Sequence, residues 1–273
     1  MSMISYGGNV ACPPLMKWAG GKRRLLAQIL PHLEGDRRYF EPFVGGGAVF
    51  LALGRSRIVI GDSNPEVTNC YEQIKLNVEH VIAGLVRLKN SEAEYYRVRQ
   101  WLPERALDRA VRTLFLTRLS FNGIYRQNLS GEFNVPYGYK SHLLVVDPVH
   151  LRKVSDALRR VTIRKGDFEV TTRRAKPGDI IYFDPPYTVA HGNNGFVKYN
   201  SKIFSWDDQR RLAQHAHSLR SIGCKVVVSN ADHPSIDALY ETFERICLSR
   251  PSIIAASSEF RKQVTECLFV GNP

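Results

Sequence analysis

The stretch Ile180-Ile-Tyr-Phe-Asp-Pro-Pro-Tyr187 joins an apolar run to a stiff, polar turn. A short apolar run that ends at prolines is typical of a buried strand, because proline has no N–H for the sheet ladder. Ligands of open α/β sheets bind at the carboxyl ends of the strands. The sequence therefore predicts that Asp184, Pro185 and Tyr187 lie at a ligand site. A rigid surface turn is the alternative, and the apolar strand before the turn argues against it.

A glycine-rich segment, Phe43-Val-Gly-Gly-Gly47, lies upstream between a strand-like run and an apolar helix start. Glycines there let the backbone approach a ligand, and the following helix offers N–H groups. The segment lacks the G-x-G-x-x-G spacing, which argues against a dinucleotide site. Asp62 ends the next strand-like run, where a carboxylate can accept bonds from ribose hydroxyls. We expect Asp62 and Asp184 to face one crevice, although a glycine turn by itself equally fits a tight strand-to-helix connection.

Strand-like and helical patterns alternate along much of the chain, which predicts an α/β fold with a largely parallel sheet covered by helices on both faces. Residues 71–155 break this rhythm, since helical periodicity is followed there by a loop-rich stretch. We therefore expect a catalytic domain from residues 1–70 and 156–273 and an inserted domain from residues 71–155. The predicted strands are Arg38–Phe43, Arg57–Asp62, Val161–Arg164, Ile180–Phe183, Lys225–Ser229 and Val264–Val270. Residues 23–33 are predicted to be helical. Two further helix starts are predicted, an N-cap followed by proline at Asn64-Pro65 and a capping box at Ser205-Trp-Asp-Asp208.

Composition narrows the classes of function. The 273 residues carry a formal net charge of +12, which favours a polyanionic partner, although a basic surface also serves solubility. No apolar run is long enough to span a bilayer, and the N-terminal residues do not resemble a signal peptide. Five cysteines without a C-x-x-C pair indicate free thiols. These features predict a cytoplasmic protein that needs no metal.

The turn at Asp184 suits chemistry on a flat amino group. The exocyclic nitrogen of adenine is a poor nucleophile, because its lone pair is delocalised into the ring. A carboxylate and a backbone carbonyl that accept its two N–H bonds would favour a more nucleophilic nitrogen. The ring of Tyr187 can stack on the base, and aromatic faces such as that of Phe43 can stabilise a positively charged methyl donor.

Several long motifs, in one order, resemble those of the Dam-type, alpha-group DNA adenine-N6 methyltransferases. They are Lys17-Trp-Ala-Gly-Gly-Lys22, Phe40-Glu-Pro-Phe-Val-Gly-Gly-Gly47, Asp62, Asp184-Pro-Pro-Tyr187 and the segment Phe121–Gly138, which resembles the family's target-recognition hairpin. The resemblance covers about residues 15–270. It implies a Rossmann-like S-adenosylmethionine-dependent methyltransferase sheet and an inserted, mainly helical target-recognition domain with a β-hairpin.

The resemblance also implies roles for the matching residues. Trp18, Lys22, Phe43, Gly45, Asp62 and Asp184 would bind S-adenosyl-L-methionine, and Asp184, Pro185 and Tyr187 would hold the adenine after base flipping. Lys17, Asn122, Arg126 and Pro136 would contact double-stranded DNA. Family members with this hairpin often modify GATC, which is the preferred site here, and a cognate restriction endonuclease is a further expected partner. A phosphate clamp for Arg126 and a turn position for Asn122 are the competing interpretations.

Other functions remain compatible with the residues. The turn would also serve methylation of cytosine N4, of adenine in RNA or of a glutamine side chain. A DNA-binding regulator without catalytic activity is the alternative from another class. Residues 188–205 are rich in glycine, asparagine and aromatic residues, and we expect them to form a loop that closes over the base.

Overall fold

A computed structural model describes residues 12–128, 131–188, 204–250 and 264–273. Its strands are β1 (Tyr39–Glu41), β2 (Ile58–Asp62), β3 (Val161–Lys165), β4 (Ile180–Phe183), β5 (Lys225–Ala231), β6 (Glu244–Arg250) and β7 (Val264–Gly271). The α-helices are α1 (Leu26–Ile29), α2 (Ala48–Leu53), α3 (Pro65–Val86), α4 (Glu92–Gln100), α5 (Ala106–Leu119), α6 (Pro148–Leu158), α7 (Phe168–Thr172), α8 (Trp206–Ser221) and α9 (Pro234–Asp237). Short 3₁₀ turns occur at Lys22–Arg24, Leu30–Leu33 and Phe121–Gly123.

One seven-stranded sheet has the order β3-β2-β1-β4-β5-β7-β6. Strand β1 runs parallel to β2 and β4, and β4 runs parallel to β5. Strand β7 is antiparallel to both β5 and β6. The predicted α/β class and the six predicted strands are confirmed. Strand β6 was not predicted, because its sequence Glu-Arg-Ile-Cys-Leu-Ser-Arg has charged residues at both ends and no apolar run.

The chain divides into two compact units. The first unit comprises the described residues of Met1–Arg23, Val44–Ser56 and Asp62–Gly166. Helix α3 packs against α5 and α6 in this unit. The predicted N-cap is confirmed, since the Asn64 side chain accepts from the N–H of Glu66 with Pro65 in the first turn. Glu66 also pairs with Arg109, which ties the start of α3 to α5.

The second unit comprises the described residues of Arg24–Phe43, Arg57–Gly61 and Asp167–Pro273. Its apolar core contains the inward faces of β4 and β5 with one face of α8. Strand β4 is buried along its whole length, as the apolar run predicts. Asp179, just before β4, is buried and accepts two bonds from the guanidinium of Arg38, at 2.6 and 3.2 Å. This pair satisfies a carboxylate that would otherwise be costly to bury.

Two expectations about helices and loops have different outcomes. Residues 23–33 were expected to form one helix, and that expectation was wrong, since α1 spans only Leu26–Ile29 and is followed by a 3₁₀ turn with Pro31 near its start. The proposed loop of residues 188–205 lies mostly outside the described residues. The division into domains at residues 70 and 156 stays a prediction. Among the described residues, no helix combines the length and apolarity that crossing a membrane requires.

Helix α8 begins with a reciprocal capping box. The Ser205 hydroxyl accepts from the N–H of Asp208 at 3.1 Å, and the Asp208 carboxylate accepts from the N–H of Ser205 at 2.9 Å. Ser205→Ala removes one of these bonds, so we expect it to lower the free energy of unfolding by about 1 kcal/mol. Urea denaturation measures this difference. Ser218→Ala, on the exposed side of the same helix, is the control and is expected to change stability by less than about 0.5 kcal/mol. Equal effects of the two substitutions would contradict the capping role.

Candidate functional site

The glycine loop of the first unit is held by hydrogen bonds to Asp62. The N–H of Gly45 donates to Asp62 Oδ2 at 3.0 Å, and the N–H of Asn64 donates to Oδ1 at 2.9 Å. The Tyr71 hydroxyl donates to the carbonyl of Gly45 at 3.0 Å. The loop predicted from its glycines is therefore fastened to the end of β2 by a carboxylate and to α3 by a phenol. Each carboxylate oxygen of Asp62 can accept a further hydrogen bond from a ligand.

Trp18 packs on the same loop and explains why position 45 is a glycine. Gly45 has a φ of 45°, and a Cβ on it would lie 2.6 Å from Cδ1 of Trp18. Trp18 also contacts Tyr125, whose ring is stacked on it with centroids 5.0 Å apart. Lys22 follows in the first 3₁₀ turn, and its side chain is only 2% exposed. Three predicted cofactor residues, Trp18, Gly45 and Asp62, are thus brought together within the first unit.

The carboxyl group of Asp62 has a perturbed pKa. Burial raises the pKa of Asp62 from 3.8 to about 6, and the N–H groups of Asn64 and Gly45 oppose this rise. A carboxyl group that titrates near neutrality is unusual for a purely structural residue.

The predicted catalytic turn lies in the second unit, directly after the buried strand β4. Pro185 is buried, while Asp184 and Tyr187 are half-buried. The Tyr187 hydroxyl donates to Glu266 Oε2 at 2.8 Å and lies 3.3 Å from the Ser229 hydroxyl. These contacts hold the aromatic end of the turn against β5 and β7.

A second polar contact holds the backbone of this turn. The side-chain amide of Gln209 donates to the carbonyl of Pro186 at 3.2 Å. The Gln209 carbonyl oxygen accepts from the amide of Asn230 at 3.0 Å. Gln209 and Asn230 have no exposed surface. Buried amides in a hydrogen-bonded chain keep one orientation, so the Pro186 carbonyl is fixed toward α8.

Phe43, also predicted to contact the methyl donor, lies among aromatic rings of the second unit. The centroids of Phe204, Phe168 and Phe183 are 5.5, 5.8 and 6.3 Å from that of Phe43. Its ring is half-buried, so part of its surface stays accessible. The position fits both a packing role and a ligand contact.

The four predicted DNA-contacting residues are all exposed and belong to the first unit. The N–H of Phe121 donates to the carbonyl of Pro136 at 2.9 Å, which places Pro136 beside the turn of Asn122. Gly123 has a φ of 64°, and a Cβ on it would lie 2.3 Å from Cδ of Lys17. The structure therefore brings Lys17, Asn122 and Pro136 together. Partial burial lowers the pKa of Lys17, and the nearby positive charge of Lys140 lowers it further.

Arg126 lies on the predicted hairpin. Bridges between Gln127 and Phe133 and between Ser120 and Tyr137 give its antiparallel pairing, with residues 129 and 130 outside the described part. Arg126 Nε donates to the side-chain oxygen of Asn134 at 2.8 Å. The Nη atoms of a guanidinium are suited to bidentate contacts with a pair of acceptors.

The model of the family "D12 class N6 adenine-specific DNA methyltransferase" matches residues 18–250. The chain belongs to this family. It is 36% identical to the type II methyltransferase M1.LlaDCHI of Lactococcus lactis subsp. cremoris over 93% of this chain and 94% of the relative. It is 32% identical to the DNA adenine methylase of Salmonella typhimurium over 94% and 95% of the two chains. The Retron Ec67 DNA adenine methylase of Escherichia coli is also 32% identical, over 94% and 90%.

This membership confirms the predicted class. The chain is a site-specific DNA adenine-N6 methyltransferase with a Rossmann-like, S-adenosylmethionine-dependent fold, and DNA is its substrate. The residue roles that the motifs imply stay predictions. Four residues that the sequence did not single out contact predicted site residues or the turn that holds them, namely Tyr125, Gln209, Asn230 and Glu266. Tyr125 lies within the hairpin segment but far along the chain from Trp18, whereas Gln209, Asn230 and Glu266 lie outside the motifs, so only the fold brings these residues to their partners.

A cluster of potential metal ligands, away from the motif residues along the chain, occurs among the described residues of the methyltransferase. One ligand atom each from Asp232, Cys247 and Cys267 lies within 4.8 Å of the others. The guanidinium of Arg245 donates to Cys247 Sγ at 2.9 Å and to Asp232 Oδ1 at 2.5 Å. A cation thus already neutralises this cluster, and all five cysteines are free thiols.

The raised pKa of Asp62 predicts a pH dependence of stability. The folded state holds this proton more tightly than the unfolded state, so the stabilising contribution is complete below about pH 4 and is lost as pH rises through about 6. We expect the free energy of unfolding of the methyltransferase to fall by roughly 1–3 kcal/mol across that window, relative to Asp62→Asn. Urea denaturation of both proteins at several pH values measures this difference. A constant offset at every pH would show that Asp62 does not titrate there.

Proposed function

We propose that the methyltransferase flips the target adenine out of the duplex and binds it at the turn Asp184–Tyr187. The observation that supports this pocket is the double anchoring of the turn, through Pro186 to Gln209 and through Tyr187 to Glu266. An anchored turn keeps its acceptors in place before the base arrives, which lowers the cost of assembling the reactive geometry.

In this pocket the Asp184 carboxylate and the Pro185 carbonyl accept the two N–H bonds of the adenine amino group. Gln209 engages the neighbouring carbonyl of Pro186, which is why Pro185 is our choice for the second acceptor. The two acceptors withdraw the nitrogen from conjugation with the ring and raise its nucleophilicity. The Asp184 carboxylate also holds the proton that the nitrogen releases once it carries the methyl group.

Tyr187 stacks on the extruded base. Removal of a base from the helix costs roughly a few kcal/mol, and stacking on an aromatic ring offsets part of that cost. The Tyr187 ring is partly accessible while its hydroxyl is bound at the far end, so the hydrogen bond does not compete with stacking.

When bound, S-adenosyl-L-methionine supplies an electrophilic methyl group on a sulfonium centre. We assign its binding to Trp18, Lys22, Gly45 and Asp62, which all lie in the first unit. The motif resemblance also implies a role in its binding for Phe43 and Asp184. The donor set fits this molecule, since the Asp62 carboxylate can accept from ribose hydroxyls while it holds the glycine loop.

Lys17, Asn122, Arg126 and Pro136 contact the DNA around the target in this proposal, and GATC is the proposed site. Their exposure and their clustering at the base of the hairpin support this assignment. The Nη edge of Arg126 suits the O6 and N7 acceptors of guanine. A cognate restriction endonuclease is a proposed partner.

Asp184→Ala tests the pocket. We expect turnover of adenine in duplex DNA to fall by about 10²-fold or more, because a polar contact to the transition state is lost, while DNA affinity changes little. Single-turnover kinetics with labelled methyl donor measure the rate, and mass spectrometry of digested DNA identifies the modified base. Asp207→Ala, whose side chain is 90% exposed, is the control. Unchanged turnover in Asp184→Ala would refute the pocket, and label in cytosine, RNA or protein instead of DNA adenine would identify another acceptor.

Arg126→Ala tests direct reading of the sequence. We expect a loss of about 1–3 kcal/mol in discrimination at one guanine position of the site. Methylation rates on duplexes with single base-pair changes measure it, and Arg210→Ala on the second unit is the matched control. A uniform loss across all duplexes, with a weaker dependence on salt, would favour the phosphate-clamp interpretation instead.

A further inference from the structure

We propose that Glu266 is a positioning residue for the methyl-transfer reaction, because it fixes the Tyr187 ring on which the adenine stacks. The inference rests on the proposed pocket and adds a residue to it. Tyr187 donates its hydroxyl proton to Glu266 Oε2 at 2.8 Å, and the Ser229 hydroxyl lies 3.3 Å from the same phenol oxygen.

The buried position of Glu266 is unfavourable for the stability of the fold. Its side chain is 2% exposed, and the residues that follow it in β7, Cys267 to Val270, are buried and mostly apolar. Burial of a carboxyl group is unfavourable unless its oxygens are bonded. An apolar residue would suit such a strand better, so the acid at this position indicates a task for its oxygen atoms.

The strand register carries the carboxylate to the turn. Strands β5 and β7 are antiparallel neighbours, with Ala231 opposite Glu266 and Ser229 opposite Leu268. Strand β5 in turn runs parallel to β4, with Phe183 opposite Val228. Ser229 follows Val228 as Asp184 follows Phe183. The Tyr187 hydroxyl, in the turn after β4, therefore lies close to polar groups on two other strands, Ser229 on β5 and Glu266 on β7.

Both ends of the Tyr187 side chain are held. The backbone end follows Pro186, whose carbonyl accepts from Gln209, and the hydroxyl end is bonded to Glu266. A phenol ring fixed at its Cβ and at its oxygen can only rotate about the line between them. Its centre then stays in place, so stacking of the base does not require the ring to be ordered first.

This arrangement predicts an effect on the reaction and little effect on the methyl donor. Loss of the anchor lets the ring swing away from the stacked base, so kcat falls while the KM for S-adenosylmethionine stays within about 2-fold. A merely structural carboxylate would lower the melting temperature and leave kcat per folded molecule unchanged.

A double-mutant cycle on the full-length protein tests the proposal. The variants are Tyr187→Phe, which keeps the ring, Glu266→Val, which removes the acceptor at similar volume, and the combination of both. We expect each single variant to lower kcat by about 10-fold and the double variant to lower it by about 10-fold as well, because both break one interaction. Glu266→Gln keeps an acceptor and is expected to stay within about 3-fold of the wild type.

Controls separate the possible failures. Tyr240→Phe removes another buried hydroxyl of the same unit and is expected to leave kcat unchanged. Multiplicative losses in the double variant, or wild-type kcat in folded Glu266→Val, would overturn the positioning role. If Glu266→Val does not fold, the other two variants decide. The positioning role is also overturned if folded Glu266→Gln loses more than 10-fold in kcat while Tyr187→Phe keeps the wild-type kcat. Turnover of Asp184→Ala is measured in parallel. If Asp184→Ala has wild-type turnover, the proposed pocket itself is rejected. If Asp184→Ala loses turnover while Glu266→Val stays fully active, only the positioning role of Glu266 is rejected.

Discussion

A buried strand can present polar groups to a ligand only where it ends, and the turn after β4 depends on this constraint. The strand is apolar and covered along its length, so its position is set by the core of the second unit. Because Asp184 to Tyr187 follow the strand directly, its fixed position also restrains theirs. Buried polar side chains then complete the restraint, since Gln209 bonds the Pro186 carbonyl and Glu266 bonds the Tyr187 hydroxyl. Preorganisation of this kind is where enzymes obtain much of their electrostatic advantage.

In the first unit, too, side chains hold a backbone segment in place, but the groups that do so are different. Its glycine loop has little side-chain packing of its own, so its backbone is held through Asp62, Tyr71 and Trp18. The carboxylate of Asp62 bonds two backbone N–H groups and still has lone pairs for another partner. If Asp62 also accepts hydrogen bonds from the hydroxyl groups of a ligand, as proposed, ligand binding and the order of the glycine loop are coupled. Binding would then also restrict the motion of the loop.

Local sequence was enough to predict the elements whose signals are local. The apolar run of β4, the N-cap at Asn64 and the capping box at Ser205 lie where the sequence placed them. Strand β6 was missed because a charged edge strand has no apolar run, and the helix expected before Leu33 is broken at a proline. The sequence singled out the motif residues as candidates for the site, and their contacting partners were not singled out. Glu266 lies 79 positions from Tyr187, and no periodicity or spacing links two residues whose contact depends on the antiparallel insertion of β7.

The place of β7 in the sheet has a consequence for biosynthesis. This strand follows every other described strand in the chain, yet it lies between β5 and β6 in the sheet. A growing polypeptide therefore exposes the edge of β5 until β7 has been synthesised, and the Tyr187 hydroxyl lacks its partner Glu266 while the 79 positions that separate the two residues are translated. An unpaired strand edge of this kind can pair with other chains, so the edge of β5 is open to such contacts during that interval.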